Sequence, residues 1–408
     1  ANNSGGGSLY QAVLDICDGG TITFANNYTI YTIHHSLDIT QNMTIDGVGH
    51  KVVLDAGGDA IINVESNVTS FTMRNLTLQG SGIGSFRNYG KARIENSTFL
   101  NNSSYGGYGG GAVLNRDTLD IVNSTFSGNS ANNGGAVANY SILNLSNSTF
   151  NGNTGNYGGS LFVNSGAGTT TVTNTIFAGG SPSNCYFVSA QTLSKVISDD
   201  SSCTGGTTNA ALGTLGDYGG SAQTFALLPG SPAIDAGSGC SATDQRGKSR
   251  VGACDLGAFE SQGFTLSKAG GDSQSVFTHS PFASPLKINV IANSSVEPVN
   301  GGTVTFGLPG SGASAVLSAN PTTISGGQAV TIASANDFAG SYNVIGSTAG
   351  SASTPAFFLT NLAPKISVND VVISDGSNYD FGSQVTGIYT DVTFDIWNDS
   401  ASALSLSS

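Results

Sequence analysis

An internal repeat limits the folds open to this 408-residue chain more tightly than any other property of its sequence. One phrase recurs: RNLTLQGS at 74–81, ENSTFLNN at 95–102, VNSTFSGN at 122–129, SNSTFNGN at 146–153 and TNTIFAGG at 173–180. Its aligned asparagines, Asn75, Asn96, Asn123, Asn147 and Asn174, are 21, 27, 24 and 27 residues apart. A further phrase, GGAVLN at 110–115, GGAVAN at 134–139 and GGSLFV at 158–163, keeps a spacing of 24. A repeat of ~20–30 residues made of short strands buries its apolar face only by stacking on its neighbours, as a solenoid. The period holds no helical pattern, so each turn reads as three short strands. Along 119–126, Leu119, Ile121 and then Thr125 or Phe126 are expected to face inward. Asn123 sits where the chain must bend, because asparagine tolerates the left-handed conformation. Stacked turns then place the five asparagines in a structural ladder, each amide bonding to the next turn. The Gly-Gly pairs supply another sharp corner.

A solenoid has open ends that need covering. SLYQAVLDIC at 8–17 predicts an N-terminal capping helix, with Leu9, Val13 and Ile16 on one face. Ser8 and Gln11 form its capping box, and Gly19-Gly20 stops it. At the other end, Asp235, Asp244, Arg246, Arg250, Asp255 and Glu260 read as a salt-bridged C-terminal cap that bonds the open-edge backbone. Arginines beside the carboxylates argue against a calcium site there. Asp199-Asp200 reads as a solvated loop. Among five cysteines, Cys185 with Cys203 and Cys240 with Cys254 form close pairs, read as disulfides; Cys17 is left as a buried free thiol. Disulfides imply an oxidising, extracytoplasmic compartment, and Ala1 reads as a mature N-terminus. No Cys-x-x-Cys pair suggests zinc.

Composition removes several function classes. Charged residues are 10% of the chain, hydrophobic residues 38%, and the net charge is −13. Alternating apolar runs at this content do not describe a disordered chain. No apolar stretch approaches the ~20 residues of a bilayer-crossing helix, so no direct membrane insertion is expected. An acidic surface does not suit phosphate backbones, so no nucleic acid is expected either.

From about residue 264 the period ends. Short alternating strands follow at ~8–12-residue spacing between Gly, Pro and Asn turns, the pattern of a β-sandwich. The domains read as 1–263, a capped parallel β-helix; 264–364, an immunoglobulin-like sandwich; and 365–408, the incomplete start of another. The fold class is all-β: a right-handed parallel β-helix (solenoid), then immunoglobulin-like β-sandwich domains.

GSLYQAVLD, the NSTF and GGAV turns, and LLPGSPAIDAG with DQRG and CDLGAFE resemble bacterial extracellular β-helix proteins of the polymorphic outer-membrane and autotransporter-like kind. The resemblance covers about residues 1–262. It implies a secreted, cell-surface protein. Such proteins usually carry a strand before the first Ser-rich phrase, for which Ala1 leaves little room; a neighbouring molecule is the expected donor. The phrases PLKINV, GGTVTF and GSYNV resemble invasin-type bacterial immunoglobulin-like domains, which implies a stalk.

A polysaccharide lyase or glycosidase on this scaffold needs carboxylates converging on one face. Residues 94–180 offer Glu95, Asp117 and Asp120, with Glu95 and Asp120 expected to point apart, and Arg87, Arg93 and Arg116 scattered. No G-x-S-x-G elbow accompanies His34, His35, His50 or His279. The chain therefore reads as no enzyme, with no cofactor and no metal. The Asn-x-Ser/Thr triplets at Asn27, Asn67, Asn96, Asn123 and Asn147 read as structural corners rather than glycan acceptors. The expected function is a structural subunit of the cell surface, a homo-oligomer or filament assembled by β-strand donation. The alternative is a carbohydrate-binding adhesin that contacts glycans through Tyr105, Tyr108, Tyr140 and Tyr157.

Overall fold

The computed structural model describes residues 7–32, 36–105 and 109–363, with the backbone of 366–368, 371–373 and 394–396. The chain divides into two units: residues 1–263 with 292–298, and residues 264–291 with 299–408.

The first unit is a parallel β-solenoid of about 7 turns. Each turn adds a strand to three rows. The first row begins with β1 (Gly20–Thr23), the second with β2 (Tyr28–Tyr31) and the third with β3 (Leu37–Ile39). In the first row Ile45, Met73, Ile94, Ile121, Leu145 and Val172 are successive register partners, all buried. In the second row Phe99, Phe126, Phe150 and Phe177 stack with centroids 4.8, 4.5 and 4.9 Å apart. Those spacings match the ~4.7–4.9 Å between hydrogen-bonded strands, so the backbone ladder itself sets the ring stack. Phe126 thus faces the core. Thr125 faces outward, because neighbouring residues on a strand point to opposite sides.

Each corner solves the same problem, satisfying backbone groups where the ladder bends. Asn75, Asn96, Asn123, Asn147 and Asn174 all adopt positive φ, between 47° and 62°. Their side chains do not form the expected continuous ladder. Asn123 Nδ2 reaches Asn96 Oδ1 at 3.3 Å, Asn75 instead donates to Asp46, and Asn174 donates to the Ser238 carbonyl. Asn147 Nδ2 is buried without a partner among the described residues. The next residue carries the ladder here: Ser97 Oγ accepts from the Leu76 amide, Ser124 Oγ from Ser97 and Ser148 Oγ from Ser124. Amide ladders stand at the two other corners. Asn102, Asn129 and Asn153 are linked at 3.0 and 2.9 Å, and Asn88, Asn115 and Asn139 at 2.8 and 2.7 Å. The Gly-Gly corner is dictated by close approach. A Cβ on Gly135 would meet the carbonyl oxygens of Gly159 and Thr154 at 2.3 Å.

The ends differ. At the first turn, helix α1 (Leu9–Asp15) buries Leu9 and Val13 against the core. Ser8 Oγ accepts from the Gln11 amide as an N-cap, but the Gln11 side chain turns to Asp15, so the capping box is only half made. Cys17, expected to be buried, is exposed, because the chain leaves the helix before it. At the last turn the cover is not the expected charge cluster. It is strand Thr192–Ser198 with helix α2 (Ser201–Thr204), tied by the Cys185–Cys203 disulfide. Asp199 and Asp200, read from sequence as a solvated loop, serve this end. Asp199 accepts from the Gly179 amide, and Asp200 accepts from the Asn184 amide while capping α2. Desolvation pushes the Asp200 carboxyl upward, but hydrogen bonds from Ser202, Asn184 and Ser198 outweigh it and hold it below the ordinary range.

The second unit is built of antiparallel and mixed sheets. One has three strands (264–270, 286–292, 328–331) and another five (274–277, 356–362, 340–347, 303–307, 322–323). Leu286, Ile288, Val304, Phe306, Val344 and Phe357 are among its buried apolar residues. Strands 366–368, 371–373 and 394–396 form a small antiparallel sheet. The rest of the expected further domain lies outside the described residues, as do His34, His35 and Tyr108.

Candidate functional site

The charges expected in a C-terminal cap form a strap along the side of the solenoid. Residues 217–260 run back over the outward threonines of the second row. Thr98, Thr125 and Thr149 are buried beneath them. Thr98 donates to the Gln223 carbonyl, Thr125 to Gln245 Oε1 at 2.6 Å, and Thr149 Oγ1 accepts from the Ala258 amide. Where the strap crosses the asparagine corner it takes up Asn123 (through Ser241, Thr243 and Arg250) and Asn174 (through Ser238).

Inside the strap, charge is paired out of water. Arg246 donates to Asp244 at 2.8 Å and to Glu297, and lies 3.6 Å over the Phe259 ring. Arg250 donates to Glu260 at 2.8 Å. Glu297 comes from 292–298, the piece of chain grouped with the solenoid. Its carboxyl is raised, by burial first. Asp255 is pushed up to about 8, by burial and then by the charge of Glu260. Its two oxygens accept from the amides of Asp235 and Ser261, not from arginine. Asp235 itself is exposed and in the left-handed region. The Cys240–Cys254 disulfide closes the loop between these groups.

The strap stops short over the first turns and leaves a cleft of about 680 Å³. Asn75 and Asn96, unlike Asn123 and Asn147, open into it half-buried. Asp46 forms the floor. It accepts from Arg74 Nε at 2.8 Å, Asn75 Nδ2 at 2.7 Å and the Val48 amide at 2.9 Å. Lys51, bridged to Asp217 of the strap, lies at the edge. Sequence reading missed this site because its residues are separated along the chain and meet only through register and the strap. Glu95 lies on its rim. Contrary to expectation, Glu95 and Asp120 share the outer face: Arg93 lies between them, 2.5 Å from Glu95 and 3.3 Å from Asp120. Residues two apart on a strand point the same way, and Arg93 is the register partner of Asp120.

Another feature lies on the outer side of the third row. Arg116 sits 4.9 Å over Tyr140, whose ring is 5.8 Å from Phe162. Phe162 is 6.0 Å from Tyr186, which lies 5.2 Å from Tyr157. Of the tyrosines singled out in sequence, Tyr140 and Tyr157 are thus brought together. Tyr105 is 89% exposed and makes no ring contact among the described residues. Tyr186 was missed because its strand, Cys185–Phe187, lacks the Gly-Gly phrase that marks the three strands before it in the row, 113–115, 137–139 and 161–163.

Among the described residues no His, Cys, Asp and Glu side chains form a metal-binding group, and no helix is long and apolar enough to cross a membrane. Comparison with protein-family models, with curated proteins and with solved structures finds no match, so what stands is the architecture: a parallel β-solenoid of about 7 turns followed by antiparallel sheets.

Proposed function

We propose that the protein is a structural subunit of an extracytoplasmic surface and that it assembles by accepting a β-strand at the first turn of its solenoid. The observation that carries this reading is the open first turn. β1, β2 and β3 each have a strand partner on one side only among the described residues. Beside them lies an apolar groove of about 230 Å³, lined by Leu9, Ile22, Phe24, Tyr28 and Ile30. β1 and β2, GTIT and YTIY, carry none of the charged or proline residues that ordinarily guard an exposed edge. An added strand would find main-chain partners on the edge and a pocket for alternate side chains. Two disulfides support an oxidising location. The likeness of the repeats to bacterial surface β-helix proteins, and of 264–363 to immunoglobulin-like stalk modules, supports display on a cell surface. A rival reading, glycan binding by an adhesin, is favoured by the ring strip through Tyr140, Tyr186 and Tyr157.

Negative-stain microscopy with light scattering over a concentration series tests the assembly. Regular filaments are expected from the native chain. A Thr21→Lys/Tyr31→Lys variant, which places charge on exposed positions of both edges, is expected to stay monomeric. A native chain that remains monomeric throughout sinks strand donation, and glycan retention lost in Tyr157→Ala/Tyr186→Ala would then put the adhesin first.

A further inference from the structure

We propose that the cleft between the strap and the first turns binds an acidic saccharide, one that bears a carboxylate or a sulfate among its hydroxyls. The size excludes a simple ion site: at about 680 Å³ the cleft lies in the range that encloses small organic ligands. Among the described residues Val48 is the only hydrophobic side chain in the lining, which does not suit a wholly apolar or aromatic ligand. What remains is a polyhydroxylated molecule.

The balance of unspent hydrogen-bonding groups sets the charge of that molecule. Asp46 accepts from Arg74 Nε, Asn75 and the Val48 amide, so most of its acceptor capacity is spent within the protein. The same bonds leave both Nη groups of Arg74 without a partner among the described residues, held in one orientation by Asp46. Asn96 accepts from Asn123 and keeps its own amide NH₂ for the cleft. Asn27 accepts from the Lys51 amide and keeps its NH₂ likewise. His50 adds a ring nitrogen. Against these donors stand fewer acceptors among the side chains that line the cleft: one oxygen of Glu95, that of Asn75, a remaining site on Asp46 and the hydroxyl of Ser221, which can also donate. A donor surplus headed by a guanidinium fork matches a carboxylate or sulfate, which accept bidentately. Glu95 and Asn75 suit hydroxyl donors of the same ligand. The groups are fixed by strand register and by side-chain bonds, so little ordering is lost on binding. Except for Asn27, the solenoid residues that line the cleft come from turns after the first, and none of them lies on the open edges of β1 and β2.

Isothermal titration calorimetry on the full chain tests this with three probes of equal length: an oligosaccharide containing glucuronic acid, its carboxyl-reduced neutral form, and a sulfated form. Binding of the carboxylated or the sulfated probe, with no measurable heat from the neutral one, is expected; which of the two binds identifies the anionic group. Arg74→Gln is expected to weaken it about tenfold or more, since a hydrogen bond to a charged group is lost. Because Arg74 also bonds Asp46, another variant, Ser221→Trp, fills the cleft from the strap side and is expected to abolish binding, with circular dichroism showing both variants folded. The Thr21→Lys/Tyr31→Lys variant is expected to bind normally. Equal binding of neutral and acidic probes, binding that survives Ser221→Trp, or no binding of any probe at millimolar concentration would overturn the proposal.

Discussion

A single asparagine can turn the chain, bond across turns, or do both, and only its surroundings decide which. Asn123 adopts φ 47° and turns the chain. Asn129 lies fully buried one corner on, and its side chain does more. Its Oδ1 accepts from the amide and side chain of Asn102, while its Nδ2 donates to Asn153 and to the Phe99 carbonyl. Asn129→Ala strands several buried groups, each costing about 1–3 kcal/mol. We expect it to lower the stability of the solenoid more than Ser127→Ala on the same turn, by chemical denaturation of each variant. The repeat phrase shows both asparagines equally. Asn123 is singled out by its place before Ser-Thr-Phe. Asn129 recurs at the end of the phrase, as do Asn102 and Asn153, but only the corner it occupies shows that its side chain bonds across turns.

Among the elements, the strap is the part most sensitive to pH. Asp255 is neutral in the folded strap up to about pH 8, against an ordinary value of 3.8. A carboxyl raised on folding favours the folded state fully below 3.8, and that advantage is lost as pH rises towards 8. Glu297 is shifted in the same direction. The melting temperature of the native chain is therefore expected to fall between about pH 4 and pH 8. Asp255→Asn, which cannot ionise, flattens this slope, and it lowers stability in acid because one oxygen acceptor becomes an NH₂. Scanning calorimetry across that window checks both, and an unchanged slope in the variant would assign the pH response elsewhere. From sequence these charges are legible as a salt-bridged cluster that bonds backbone. Their position is not, since a segment that covers an end and one that lies along a side have the same polar composition.

For the solenoid as a whole, the asymmetry of its two ends governs behaviour. The last turn is sealed by Thr192–Ser198, α2 and the Cys185–Cys203 bond, while the strand edges of the first turn have no partner among the described residues and lie beside an apolar groove. Cys185→Ser/Cys203→Ser removes a constraint worth about 2–4 kcal/mol. Hydrogen exchange is expected to show the loss first in 184–204 and then in the neighbouring turn, because each turn of a solenoid leans only on the next. Uniform loss of protection through all the turns would instead mean that the solenoid opens as one cooperative body.

Local periodicity was enough to settle the all-β solenoid and the rhythm of its turns, and cysteine spacing pointed to the two disulfide pairs that the structure forms. In a stacked repeat the next turn presents the same residues at the same height, so a pattern along the chain becomes a pattern across turns. Other features had to wait for the folded chain: the course of residues 217–260, the cleft it leaves beside Glu95, and the exposure of Cys17. The strap and the cleft rest on contacts such as Lys51 with Asp217 and Thr98 with Gln245, separated by 166 and 147 residues, which no local pattern encodes. A segment without a repeat has no preferred height on the solenoid until its threonine, asparagine and backbone partners are in place.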